Sequence, residues 1–298
     1  MNFLASYIMR GRMSAMLVAS SLALLSLIFP PVSIVSSATV ALVTLRLGAF
    51  EGLYVLLCSS AAASALGLLL LGNFQFALAY AAVLWLPVWL IAIVLREGRH
   101  LSLAIEIAVL LGVVGLIVFY SINPDAAAMW KAMLTQMLPP DAPVDNTEKT
   151  IAVMSRYMSG AMAAGTVFSL LFGLFLGRWW QANLYNPGGF RQEYLSLGTP
   201  RHLALGSILV IAIAWLSSGA LSEVTWNITI LLFSLYAVIG SSVLHSVFAA
   251  KKLARYTVPM FYVTLFLIPH ALLPVALVGL VDPWLNLRKN LPNQSSAK

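Results

Sequence analysis

A chain of 298 residues that is 61% hydrophobic and only 9% charged stands far from water-soluble domains, in which about a quarter of residues carry charge. Its 17 Lys and Arg against 10 Asp and Glu leave a formal net charge of +7. In so apolar a chain that excess reports membrane topology before partners, so nucleic acid is set aside as a partner. The lone cysteine, Cys58, lies inside an apolar run and excludes both an internal disulfide and a cysteine-based metal site.

The apolar runs are mostly about 17 to 26 residues long, the helical length that crosses about 30 Å of hydrocarbon. They are continuous, not alternating, which selects helices over a barrel. The expected fold is therefore all-α, a polytopic transmembrane helix bundle of about eight or nine spans. Arg10 and Arg12 precede the first run, residues 13–29, which ends in Pro30-Pro31 without a small-x-small cleavage pattern and reads as a retained span. The second run, 32–45, would cover only about 21 Å as helix, and needs a thinned bilayer or a protein-lined setting. Runs 48–71, 74–95 and 101–121 follow. The polar segment 123–150 contains an amphipathic piece, 126–138, whose Trp130, Met133, Leu134 and Met137 share one helical face and would lie on the membrane surface.

Run 151–177 leads into the polar stretch 178–201. It carries the turn Asn186-Pro187-Gly188-Gly189, in which proline fixes one backbone angle and glycine permits positive φ. Runs 203–219, 224–250 and 257–281 complete the set; Pro269-His270 would break the last into a re-entrant hairpin. The organisation expected is a front membrane bundle over 1–177, a cytoplasmic loop over 178–201, back helices over 202–289 and a disordered tail over 290–298.

With a cytoplasmic N-terminus, strict alternation gathers Arg10, Arg12, Arg96, Arg99, Arg178, Arg191, Arg201, Lys251, Lys252 and Arg255 inside, while the acid-leaning 123–150 segment falls outside. The expected location is the bacterial inner membrane.

Enzyme signatures are missing: there is no phosphate-binding GxxxxGK[ST] loop, no HExxH and no GxSxG. The chain is not read as an enzyme, and no cofactor or metal is implied. Ionisable residues in or beside apolar runs are the candidates for binding a small-molecule ligand, because a charge in hydrocarbon usually has a partner or a water path. They are Arg46 and Glu51, which would pair across a tight turn, Glu106 and Arg156. His270 would satisfy a carbonyl freed by Pro269, and Asn227 and His245 would hydrogen-bond between helices. Small-residue spacings at Ala61/Ala65 and Gly173/Gly177 would let helices approach closely. The corner formed by Asn186, Pro187, Gly188, Gly189, Phe190, Arg191 and Glu193 is a candidate docking site for a cytoplasmic protein. Asp282, Trp284 and Arg288, in GLVDPWLNLR, form a candidate C-terminal interface motif.

Four stretches, the Pro-ended first span, PVSIVSSATVALVTLRLGAFEG (31–52), NPGGFRQEYLSLG (186–198) and DPWLNLR (282–288), resemble the YybS-like family of bacterial membrane proteins, which brings no activity with it. The front part is also similar to the substrate-binding S components of energy-coupling-factor transporters: six spans, an early short one, and a glycine-flanked entry to the third at Gly48 and Gly52. That likeness implies an S-component-like front with three added helices, acting as a small-molecule binding or transport component. The rival expectation is a non-transporting scaffold or regulator of envelope processes.

Overall fold

The computed structural model describes residues 2–138, 144–251 and 253–289. Asp141, Lys252 and the tail 290–298 lie outside the described residues. Within them the elements are helical: α1 (Asn2–Ile8), α2 (Arg12–Leu25), α3 (Val32–Leu47), α4 (Ala49–Leu71), α5 (Gln75–Tyr80), α6 (Leu86–Gly98), α7 (Leu101–Ile122), α8 (Ala126–Gln136), α9 (Val144–Tyr185), α10 (Gly189–Leu195), α11 (Arg201–Leu216), α12 (Gly219–Ala250), α13 (Ala254–Leu267) and α14 (Leu272–Leu285). Among the described residues, five helices are long and apolar enough to cross a membrane: Ala49–Leu70, Gln75–Gly98, Leu101–Ile122, Thr147–Tyr185 and Gly219–Ala250. Four more apolar helices are shorter. The protein is a helical membrane bundle.

Two compact units divide the chain differently from the front and back parts expected from the sequence. The first holds Met1–Ala108 and Thr166–Ser196; the second holds Val109–Gly165 and Leu197–Lys298. Helices α7 and α9 each contribute a stretch to both.

In the first unit α3 is the axis. Every residue from Ser36 to Leu45 is buried, so this short helix is hydrophobic all round because protein surrounds it; the protein-lined setting is the one realised. Gly173 and Gly177 of α9 press against it, where an added Cβ would come within 2.9 Å of Ser37 and 2.8 Å of Ala41. The Gly173/Gly177 spacing thus makes a helix contact, whereas Ala61 and Ala65 are exposed and Ala63 is the buried alanine of that stretch. Trp85 donates from Nε1 to Ser36 Oγ at 3.1 Å, and Ser36 Oγ donates to the Ala19 carbonyl at 2.8 Å. Between α5 and α6 the ladder widens to a π turn, Ala81–Trp85. Pro87 explains it, since its ring crowds the carbonyl four residues back and it has no N–H to return.

In the second unit α12 is the axis. Its Gly240 meets α14 so closely that a Cβ there would overlap the Val275 carbonyl, and a Cβ on Gly279 would overlap the Tyr236 carbonyl. Two glycines at one crossing let the backbones touch. The last apolar run is broken where Pro269 suggested: α13 ends at Leu267, a single 3₁₀ turn spans Pro269–Ala271, and α14 begins at Leu272. His270 is exposed there and its side chain makes no hydrogen bond among the described residues, so the expected carbonyl cap is not formed.

Candidate functional site

The expected loop 178–201 is mostly helix. α9 runs on through Tyr185 because Trp180 and Ala182 are buried in the first unit's core, and because its polar residues find partners. Arg178 donates to both Glu193 carboxylate oxygens, from Nε at 2.8 Å, and to Gln181 Oε1 at 2.6 Å. Gln181 in turn donates to the Leu45 carbonyl at 3.0 Å, and Arg96 donates to the same carbonyl at 2.9 Å. Two donors, one cationic, therefore close the C-terminal end of α3, where orphan carbonyls and the helix dipole favour positive charge.

Gly188 takes φ 86 at the following turn, a left-handed angle that favours glycine. The turn sends α10 back along α9, where Phe190 packs tilted and Tyr194 edge-on against Phe175. Glu193 is thereby committed to Arg178 instead of standing free at the corner, while Arg191 is exposed.

Arg46 and Glu51 occupy one corner but do not pair. Glu51 binds Arg12 through two hydrogen bonds, at 2.8 and 2.5 Å, and the Arg46 guanidinium lies 3.9 Å from the centre of the Tyr185 ring. The reason is geometric. Gly48, at φ 113, starts a new helix direction, so residues 46 and 51 do not share a helical face. Glu106 is half-buried on α7 in this unit. Arg156 belongs to the second unit and is exposed on α9.

The second unit contains two polar constellations. At the first, Asn227 is fully buried. Its Oδ1 accepts from the Gly160 N–H at 2.5 Å, and its Nδ2 donates to the Arg156 carbonyl at 2.7 Å. Those are the two backbone groups that an α-helix pairs with each other, so the amide spans a rung of α9. Nδ2 also lies 3.0 Å from Tyr120 Oη, which donates to Glu223 at 3.1 Å. Asn227 is the interhelical residue expected of it. His245 bonds its own helix at the Ser241 carbonyl and packs against Phe248, Phe261 and Tyr262.

The second constellation was not visible in the sequence. Ser222 Oγ donates to the Ala214 carbonyl at 3.1 Å and Tyr236 Oη donates to Ser207 Oγ at 2.7 Å, so α11 runs antiparallel along the first part of α12 and its start comes level with about Tyr236. α14 is antiparallel to α12 as well, with Val275 and Gly279 against Gly240 and Tyr236. The beginning of α11 and the end of α14 consequently meet beside the interior of α12. Arg201 donates from Nε to the Pro283 carbonyl at 3.1 Å; Arg288 donates to the Leu197 carbonyl and, at 3.2 Å, to Asp282. Thr199 Oγ1 and Asp282 Oδ1 are buried there without a hydrogen-bond partner.

Tyr236 lies inside the apolar helix Gly219–Ala250, about 26 Å along it from Gly219 and about 21 Å from Ala250. Arg201, expected among the cytoplasmic arginines, lies beside the interior of α12. At about 24 Å and about 21 Å, α11 and α14 are each shorter than the hydrocarbon core. Asp282 and Arg288 are thus a clamp on the start of α11, with Trp284, 38% exposed, between them in sequence.

A separate cleft of about 370 Å³ between α8 and the start of α9 is lined by Leu134, Met137, Leu138, Thr147, Thr150, Ile151 and Met154. Trp130 fixes α8 beside it by donating to Ser159 Oγ at 2.9 Å.

Residues 146–283 match the model of a family described as predicted membrane protein (DUF2232). The matched segment is less than half of the chain. It includes Gly160, Asn227, Arg201 and Asp282, and ends at Pro283, before Arg288. No curated protein and no solved structure matches the chain. Neither the YybS-like name nor the S-component likeness is among the matches; the description as a membrane protein is.

Proposed function

We propose that the protein is a membrane-embedded component that binds or transports a small molecule, with the α11–α14 junction as its binding region. One observation carries this reading: two helices too short to cross end against each other beside the interior of α12's apolar stretch, bringing Arg201, Asp282 and Arg288 with them. A charge at such a depth costs about 2.5 to 3.5 kcal/mol on insertion scales and usually marks a ligand or ion path. Broken helices near mid-depth are where many membrane carriers hold polar ligands.

The test is water access. On a Cys58→Ser background, Thr199→Cys and a control, Phe266→Cys, are exposed in cells to a membrane-impermeant thiol reagent. Modification of Thr199→Cys supports a hydrated site. A Thr199→Cys that stays unmodified under denaturant-checked conditions, while Arg191→Cys reacts from the cytoplasmic side, sinks it.

A scaffold is the second reading, and the first unit's rim favours it. Arg46, Arg99 and Arg191 are exposed without an ion pair among the described residues, and Leu47 and Phe50 are exposed beside them. On this reading, the corner of residues 186–193 and that rim form one docking face for a cytoplasmic protein. Loss of co-purifying partners in Arg191→Ala, with Thr199→Cys closed, would favour it.

A further inference from the structure

Resting on the reading of the α11–α14 junction as a binding region, we infer that its ligand is a carboxylate carrying an apolar tail, held by Arg201. The charge count comes first. The junction has two guanidinium groups, Arg201 and Arg288, and one carboxylate, Asp282, which lies 3.2 Å from Arg288. Arg201 has no carboxylate within ion-pair distance among the described residues; its Nε–H is committed to the Pro283 carbonyl. The cluster therefore keeps one uncompensated positive charge beside the apolar interior of α12, and one monovalent anion neutralises it. A dianion would overshoot.

Geometry then narrows the anion. With Nε–H occupied, the guanidinium offers its two terminal nitrogens as a fork, which a carboxylate matches with two parallel hydrogen bonds.

The tail follows from the surface around the charge. Leu205, Ile208 and Leu209 stand four, seven and eight residues after Arg201, so they share its helical face. They are 57%, 43% and 61% exposed. An apolar chain attached to a carboxylate at Arg201 would lie along this stripe, away from the clamp made by Asp282 and Arg288.

The experiment follows thermal unfolding of the purified full chain in an uncharged detergent by tryptophan fluorescence, titrated with sodium octanoate, sodium acetate and octylamine hydrochloride. The expected result is a saturable rise in Tm with octanoate, a weaker one with acetate and none with octylamine. Arg201→Gln should weaken octanoate by about tenfold or more, the loss expected for a charge-assisted hydrogen bond, and Arg201→Lys should retain part of the effect. Leu205→Gln should weaken octanoate but not acetate, and it serves as the test if Arg201→Gln does not fold. Equal octanoate shifts in wild type, Arg201→Gln and Leu205→Gln, or no shift in wild type, overturn the inference. Its failure is separable from that of the reading it rests on. Thr199→Cys labelling without an octanoate effect leaves a hydrated site for another ligand, whereas an Arg201-dependent octanoate effect with Thr199→Cys closed leaves a carboxylate site without a transport path.

Discussion

The rim of the first unit and the junction of the second use the same residue types to opposite ends. At the rim, Arg12 faces Glu51, Arg178 faces Glu193, and Arg96 joins Gln181 on the Leu45 carbonyl. Those three arginines have complements and α3 is sealed at its C-terminus, whereas Arg46, Arg99 and Arg191 of the same unit have no ion pair among the described residues. At the junction, Arg288 has Asp282 and the Leu197 carbonyl, yet Arg201 has only a carbonyl. An arginine near a membrane helix end is thus not a site by its type. What sets Arg201 apart is its place beside the buried, unpartnered Thr199 Oγ1 and Asp282 Oδ1.

The largest effect that probes this contrast is steric. Gly240→Leu drives a side chain into the Val275 carbonyl, should separate α12 from α14, and should cost about 3 kcal/mol or more. Gly165→Leu, with open space at its Cβ position, is the control. Thermal unfolding in detergent checks both, and comparable losses would mean that the α12–α14 contact does not hold the junction together. Next is Asn227→Leu, which removes partners from Gly160 N–H, the Arg156 carbonyl and Tyr120 at once. We expect about 3 kcal/mol, read as a shift in the midpoint of SDS-induced unfolding. Wild-type behaviour would show that water replaces the amide.

At the rim, Arg178→Met leaves the Glu193 carboxylate half-buried, with a loss of about 2 kcal/mol. Pairing it with Glu193→Gln should recover part of that loss, and a double mutant no better than the worse single would break the account of a sealed end. The smallest effect belongs to Arg12→Gln. Its ion pair with Glu51 is solvent-facing, 53% and 26% exposed, so Tm should move by about one degree or less. A larger fall would make that pair as structural as the Arg178 pair.

The apolar runs were legible because hydrocarbon length and backbone satisfaction impose them, and the break at Pro269 because proline removes a rung. Glycine spacing correctly marked Gly173/Gly177 but overread Ala61/Ala65, since spacing says that helices can approach, not that a partner is present. Arg46 and Glu51 were near in sequence but Gly48 turned them apart; Arg12, far away in the chain, took the acid. The packing of Arg201 on Pro283 was not legible, because a positive residue between apolar runs carries no helix register. Only the antiparallel register of α11 and α14 on α12, set by Tyr236, Ser207, Gly240 and Gly279, reveals how far inside the apolar stretch it starts. No local pattern encodes that register.

The amide of Asn227 has a consequence for how the chain is made. Gly160 and Asn227 are 67 residues apart, so α9 leaves the ribosome and enters the membrane well before its partner side chain exists. Until then the Gly160 N–H and the Arg156 carbonyl have only each other. When α12 arrives, its amide presents one acceptor and one donor to that same pair, so docking exchanges hydrogen bonds without ever leaving a polar group bare in lipid. An α12 docked one residue out of register would present Trp226 or Ile228 at Gly160 and could not complete the rung.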